Sequence, residues 1–229
     1  MSSIALFPCV QAGSAEVVEE LSNKLKVRPY TDDELIQETA RLHGGDVEKY
    51  RKMLSAKVSV FNKFTLEKER ALALFKLVLA TKLIESELHL FYGLHTVLIS
   101  PEIKEVLRAV VVDTKEARIN RGIAEGLSKK ESKENVRSHD VSAYSLTDFL
   151  FKKEAYDSNL YDLVIPVDHR DGQSITEEIV KHNQSLSVMR SSESQIGAMN
   201  MKLTALVELE LLEKGHKLPV AVQGSEAII

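Results

Sequence analysis

Two short stretches of this chain carry the residue types that handle anions. The first is "PCVQAGSA", Pro8 to Ala15, which follows the apolar run "SIALF" and opens the helix-like "AEVVEELSNKL". Free N–H groups and the positive end of a helix dipole attract an anion there, with Gly13, Ser14 and Ala15 as the candidate contacts. A triphosphate cradle of the form G-x-x-x-x-G-K-[ST] asks for more: a lysine on the outer phosphates and a hydroxyl on Mg²⁺. Laid on this stretch, its four fixed positions fall on Pro8, Gly13, Ser14 and Ala15, so only Gly13 matches. Pro8 also lacks an N–H to offer. The second stretch is "EARINR", where Arg118 and Arg121 stand one helical turn apart. They suit an anion grip, but surface pairing with Glu116 or Glu125 competes with that reading. Asp113 ends the apolar run "LRAVVVD". It could hold Mg²⁺ through water, but capping the helix that begins at Thr114 is its expected role.

Other reactive residue types suggest less. His89 and His95 flank Gly93 without a third ligand or an H-x-H or H-E-x-x-H spacing. Cys9 has no neighbouring histidine and reads as a buried structural thiol. The lysines of Ser128 to Asn135 are balanced by glutamates, which describes a solvated face rather than a nucleic-acid patch.

The elements that must position these residues alternate. Strands are expected at Ser3 to Phe7, in "LHLFYG" and "HTVLIS" around Gly93, in "LRAVVVD" and in "YDLVIPVD". Helices are expected from Ala15, from Asp32 to Gly44, over "DVEKYRKMLSA", in "TKEARINRGIAEG" and in "SITEEIVKHNQSL". The longest is expected in "TLEKERALALFKLVLATKLIES". Capping boxes stand at Thr31/Glu34, Ser128/Glu131 and Ser174/Glu177. This alternation predicts an α/β fold, a parallel sheet covered by helices on both faces, with ligands at the C-terminal ends of the strands. A serine-rich linker is expected after Leu186, dividing the chain into a main domain (1–186) and a C-terminal helix–strand arm (187–229). On the arm's helix Met201, Leu203, Leu206, Leu209 and Leu212 lie broadly on one side. The arm is too small for a core of its own. It must dock on the main domain or on a second copy.

Bulk properties narrow the function. Over 229 residues the formal net charge is −4, which gives no general attraction to nucleic acid or to an anionic membrane. A single cysteine excludes an internal disulfide framework and points to a reducing cytoplasm. No stretch approaches the roughly 20 apolar residues that span a bilayer.

From Ser3 to about Val180 the order "SIALF…AGSAEVVEELSNKLKVRPYTDDELIQETA", "LRAVVVDTKEARINR", "EGLSKKESKENVRSHD" and "DSNLYDLVIPVD" resembles the cytidylate kinase-like group of nucleoside-monophosphate kinases. The resemblance is strongest in "LRAVVVDTKEARINR" and "YDLVIPVD". It implies a three-layer P-loop NTPase-like fold, with the arm as a small α/β extension. It also implies phosphoryl transfer from ATP with Mg²⁺ to a nucleoside monophosphate, under lid arginines. The family's glycine-rich loop falls on Gln11 to Glu16, where its basic residue is Ala15. Its Gly-Arg pair falls on Gly93-Leu94. The lid aspartate matches Asp140, but the arginine expected after it falls near Ala143. Arg118 and Arg121 keep the two-arginine spacing that opens the lid.

Phosphoryl transfer is catalysed by positioning and charge neutralisation, and the missing residues are those that carry charge. The implied function is a degenerate, kinase-like regulatory or interaction protein. It would have no catalytic residues, no bound cofactor, and a partner or second copy on its C-terminal arm. Two alternatives stand beside it. One is an active ATP-dependent nucleotide kinase in which Arg118, Arg121, Arg137 and Lys26 converge on the Gly13 turn. The other is a sensor that holds a nucleotide or another anion at Gly13 to Ala15.

Overall fold

The computed structural model describes residues 2–57, 62–85, 87–188, 194–223 and 226–228. The first half runs β1 (Ser3–Phe7), α1 (Ser14–Leu25), β2 (Pro29–Thr31), α2 (Asp32–His43), α3 (Val47–Ser55), α4 (Asn62–Thr65), α5 (Glu67–Ile84) and β3 (Leu90–Tyr92). After a 3-10 turn (Leu94–Leu98) come β4 (Val106–Val112), α6 (Lys115–Ala124), α7 (Lys129–Phe151), β5 (Leu163–Pro166) and α8 (Gly172–Val188). The chain closes with α9 (Ser194–Glu213) and the strands β6 (Ala221–Gln223) and β7 (Glu226–Ile228).

Five strands form one sheet in the order β2-β3-β1-β4-β5, every neighbouring pair parallel. Side chains alternate along each strand, so the central β1 feeds two cores. Ile4 and Leu6 meet Val17, Val18 and Leu21 of α1 and Ile175 and Ile179 of α8. Ala5 and Phe7 point the other way, into a cluster with Leu35 and Ile36 of α2, Phe75 and Leu79 of α5, and Ala143 and Leu146 of α7. The result is a three-layer α/β fold. The C-terminal ends of β1, β3 and β4, with Gly13, Gly93 and Asp113 just beyond them, lie along one edge.

Capping sets the helix boundaries. Thr31 and Glu34 close a capping box on α2, which stops before Gly44. Ser128 and Glu131 close another on α7. The box expected at Ser174/Glu177 does not form: the Asp171 carboxylate accepts the Ser174 N–H, and α8 is already open at Gly172. The segment "HTVLIS" is not a strand. The N–H groups of Leu94 and His95 are drawn to the Asp32 carboxylate, and the chain curls into the 3-10 turn instead of joining the sheet. Nor is α5, at 18 residues, the longest helix, since α7 runs for 23 and α9 for 20. The polar composition of α7 concealed its length: only a narrow stripe, including Val136, Ala143 and Leu146, enters the core.

Helix α5 is apolar nearly all round because it lies between the sheet and α9. Lys76 pairs with Glu208 at 3.0 Å, Arg70 donates to the Leu212 carbonyl at 2.7 Å, and Lys217 reaches Glu69 at 2.6 Å. The buried face of α9 is Ala198, Met201, Ala205 and Leu212. Leu203 and Leu206, expected to share that side, are exposed, because the residues seven apart that face α5 run 198, 205, 212. Strands β6 and β7 pair antiparallel. Of the expected linker, 187–188 complete α8 and 194–197 begin α9, while 189–193 lie outside the described residues. No helix among the described residues is long and apolar enough to cross a membrane.

Candidate functional site

The loop from Pro8 to Gly13 joins β1 to α1, and its carbonyl oxygens are held one after another. His139 Nε2 lies 3.0 Å from the Pro8 oxygen. Ala12 N–H and Ser14 Oγ donate to Cys9 at 3.0 and 3.3 Å. Arg118 Nε donates to Val10 at 2.8 Å, and Arg121 Nη1 to Gln11 at 2.6 Å. Left-handed backbone at Gln11 (φ 59°) and Gly13 (φ 80°) turns the chain through this shape. The Gln11 side chain lies under α6, donating to the Arg118 carbonyl and to Ser132 Oγ at 2.9 and 2.7 Å. Gly122 makes room for it: a Cβ there would overlap the amide.

Both arginines are therefore engaged, and not with the expected surface partners Glu116 and Glu125. Arg118 is 3% exposed. It forms two bonds to the Asp140 carboxylate, at 2.9 and 3.2 Å. Tyr156 donates to the same carboxylate at 2.9 Å and lays its ring 5.8 Å from the guanidinium. Burial works against the Arg118 charge, but Asp140 outweighs it and holds the pKa above the usual arginine value. Arg121 pairs with Asp113 at 3.0 Å. Asp113 accepts the Thr114 N–H, but the side chain that caps α6 is Thr114, which accepts from Ala117 at 3.2 Å. Burial pulls the His139 pKa down, leaving a neutral ring whose Nε2–H donates to Pro8.

Of the three turn residues, Gly13 is the left-handed entry to α1 and no side chain caps the helix. Ser14 is buried, with Oγ 3.2 Å from Tyr92 OH, and Ala15 is exposed. Cys9 is buried, and desolvation pushes its thiol pKa up. A magnesium–triphosphate does not fit this arrangement. The backbone carbonyls are turned toward arginines, the Ser14 hydroxyl is committed inward, and Asp113 is committed to Arg121.

A second anion position lies at the end of β3. The N–H groups of Leu94 and His95 converge after Gly93, and the Asp32 carboxylate accepts both, at 2.9 and 3.0 Å. Its Oδ1 also meets the ring of buried His95 at 2.7 Å. Burial opposes ionisation of Asp32, but these bonds outweigh it and hold the carboxyl below its usual range. Gly93 is required here because a Cβ would overlap that carboxylate.

Between the two positions opens a cleft of about 640 Å³. One face of α7 lines it with Asn135, Ser138, His139 and Ser142, at i, i+3, i+4 and i+7. Opposite are Asp32 and Asp33, and among the described residues no lysine or arginine lines the cleft. Arg137 turns outward toward Glu134. Lys26 caps the far end of α1, about 18 Å along the helix from Gly13. The structure thus brings Arg118 and Arg121 to the turn, but not Arg137 or Lys26. Sequence reasoning missed Asp32 as a site residue, since its partners are 62 and 63 positions away. The α7 face was legible, had the segment been projected on a helical period.

No curated protein matches this chain. Among solved structures, an uncharacterized protein from Eubacterium ventriosum aligns with a TM-score of 0.56 at 16% identity, over 80% of this chain and 98% of that one. A shikimate kinase from Acinetobacter baumannii aligns at 0.41 and 12% identity, over 81% and 94%. Another from Aquifex aeolicus aligns at 0.37 and 13%, over 81% and 98%. The first of these supports the fold. The model of the cytidylate kinase-like family matches residues 4–169, a span that contains the loop, both arginines, Asp32 and the cleft, and the chain belongs to that family.

Proposed function

We propose that this chain is a catalytically degenerate member of its family, working as a regulatory or interaction protein rather than a phosphotransferase. One observation supports this above the rest: groups that would hold phosphate are bound to the protein itself. Arg118 and Arg121 are bound to Val10, Gln11, Asp140 and Asp113, and the N–H pair after Gly93 is bound to Asp32. Cations are absent at Ala15, Leu94 and Ala143. At roughly 3 kcal/mol for each lost electrostatic contact, three losses slow transfer by about a million-fold. Residues 1–186 form the kinase-like unit and 187–229 an arm for a partner or a second copy. The lone buried thiol suits the cytoplasm. The test is a coupled assay with ATP, Mg²⁺ and CMP. Turnover well below about 1 s⁻¹ is expected, and turnover above it defeats the proposal.

A second reading has one observation of its own. The start of α1 carries no side-chain cap, so Gly13 to Ala15 retains N–H groups for a single anion. A sensor of this kind gains about 2.7 kcal/mol of stability at 100 times the ligand's dissociation constant. Thermal-shift titration with phosphate and with nucleotides decides it, and a flat response removes it. The rearranged-kinase reading loses support because Arg137 and Lys26 do not reach the turn.

A further inference from the structure

Helix α9 is apolar on two faces, and among the described residues only one of them has a partner. Ala198, Met201, Ala205 and Leu212 are buried in the fold. On another face Ile196, Met199, Leu203 and Leu206 are 53%, 48%, 37% and 44% exposed. Their spacing is three, four, three, which is the a/d repeat of a coiled-coil seam. Four exposed large apolar residues in that register form a stripe rather than scattered surface residues. The seam ends sharply, because the next a and d positions are Glu210 and Glu213.

We infer that this seam pairs with the same seam of a second copy, the two α9 helices lying antiparallel about a two-fold axis. The inference rests on reading the arm as an association element, and it adds the residues, the partner and the orientation. A two-fold contact must be self-complementary, and this stripe is: with Ile196 opposite Leu206 and Met199 opposite Leu203, each apolar residue meets an apolar residue. Charge selects the orientation. A parallel pair would set Glu210 against Glu210 and Glu213 against Glu213. The antiparallel pair sets those carboxylates at opposite ends of the seam, away from each other. The contact is small. Burying these four residues removes on the order of 300–400 Å² per copy, against ~800 Å² for a standard interface. The dimer is therefore weak and reversible, with a dissociation constant on the order of 10–100 µM.

Sedimentation velocity from 5 µM to 1 mM tests this, with the whole chain. Wild type is expected to shift from monomer to dimer across that range. Leu203→Glu combined with Leu206→Glu is expected to weaken association at least 100-fold, with unchanged circular dichroism and melting temperature, since both residues are exposed. Leu42→Glu, at an exposed apolar residue on α2, is the control and is expected to leave association intact. For orientation, Met199→Cys with Leu203→Cys is expected to cross-link two copies on oxidation, whereas Glu210→Cys is not. A wild type monomeric at 1 mM overturns the inference, as does a dimer that survives the double variant. Self-cross-linking of Glu210→Cys overturns the antiparallel arrangement. The phosphotransfer assay is independent of all these outcomes, so failure of this inference is distinguishable from failure of the functional proposal.

Discussion

The loop after β1 and the corner after β3 solve one electrostatic problem with opposite signs. After β1, backbone carbonyls face inward, and Arg118 and Arg121 meet them. After β3, backbone N–H groups face inward, and Asp32 meets them. Each position would attract an ion from solvent if its internal partner were absent. The comparison teaches that internal counter-ions of opposite sign stand at the two ends of this sheet edge. Arg118 and Arg121 hold the loop in shape, and Asp32 holds the corner. What each counter-ion contributes to local stability can be measured.

Arg118→Met should break the comparison most severely. The side chain is buried, and its removal leaves Asp140 and the Val10 carbonyl without their cation. Removing one partner of a buried pair costs about 3–5 kcal/mol. The expected loss is about 3 kcal/mol by urea denaturation, because Asp140 is one-third exposed and keeps its Tyr156 bond. A loss under about 1 kcal/mol would mean that the loop does not depend on this cation.

Gly93→Ala attacks the opposite sign. The new Cβ would overlap the Asp32 carboxylate and must displace it from the Leu94 and His95 N–H groups. Strained backbone adds to the cost at φ 154°. About 2 kcal/mol should be lost. The displaced N–H pair should then accept an external anion, so sulfate should stabilise the variant more than wild type. Equal sulfate dependence in the two proteins would mean that Asp32 is not standing in for an anion.

Lys68 is another buried charge, and among the described residues no carboxylate forms an ion pair with its ammonium. It is 2% exposed, donates to the Ala56 carbonyl at 2.7 Å and lies 5.2 Å from the Phe149 ring. Burial lowers its pKa to about 8. The unfolded chain keeps an ordinary lysine near 10.4, so between pH 8 and 10 it binds more protons than the folded chain, and wild-type stability rises through that window. Below pH 8 both states are protonated and the full cost of burial is present. Lys68→Met should therefore gain about 1–2 kcal/mol at pH 7, an advantage that shrinks toward pH 10. A gain independent of pH would assign the effect to packing rather than charge.

How much of this was legible in sequence follows from range. Four of the sheet's five strands could be read because each is a local apolar run, whereas β2, the three residues Pro29–Thr31, has no such run and was missed; α2 and α7 announced their starts through Thr31 and Ser128 with a glutamate three residues on. That Ala15 and Leu94 stand where the family's motif carries basic residues is an expectation from the motif's spacing. The counter-ions were not legible. Asp32 reads locally as an acidic first-turn residue of α2, which it also is, and nothing near it in the chain announces a bond to residues 94 and 95. Arg118 reads locally as a surface residue beside Glu116, and only the packing of α6 on α7 buries it against Asp140. The "HTVLIS" error has the same origin, since a distant carboxylate took the N–H of His95, where the strand would have begun.

Arg121→Met should have the smallest effect and the sharpest meaning. Arg121 is 29% exposed at the side chain, water can replace it on the Gln11 carbonyl, and Asp113 keeps the Thr114 N–H. The expected loss is about 0.5–1 kcal/mol. Its consequence should be local: faster amide exchange across Pro8 to Gly13, with the sheet protected as before. This separates two roles for one guanidinium. If Arg121 is only a latch on the loop, phosphate should stabilise wild type and Arg121→Met equally, or neither. If phosphate stabilises wild type alone, the arginine leaves its internal partners for an external anion. The loop would then be a binding site held closed by its own cation.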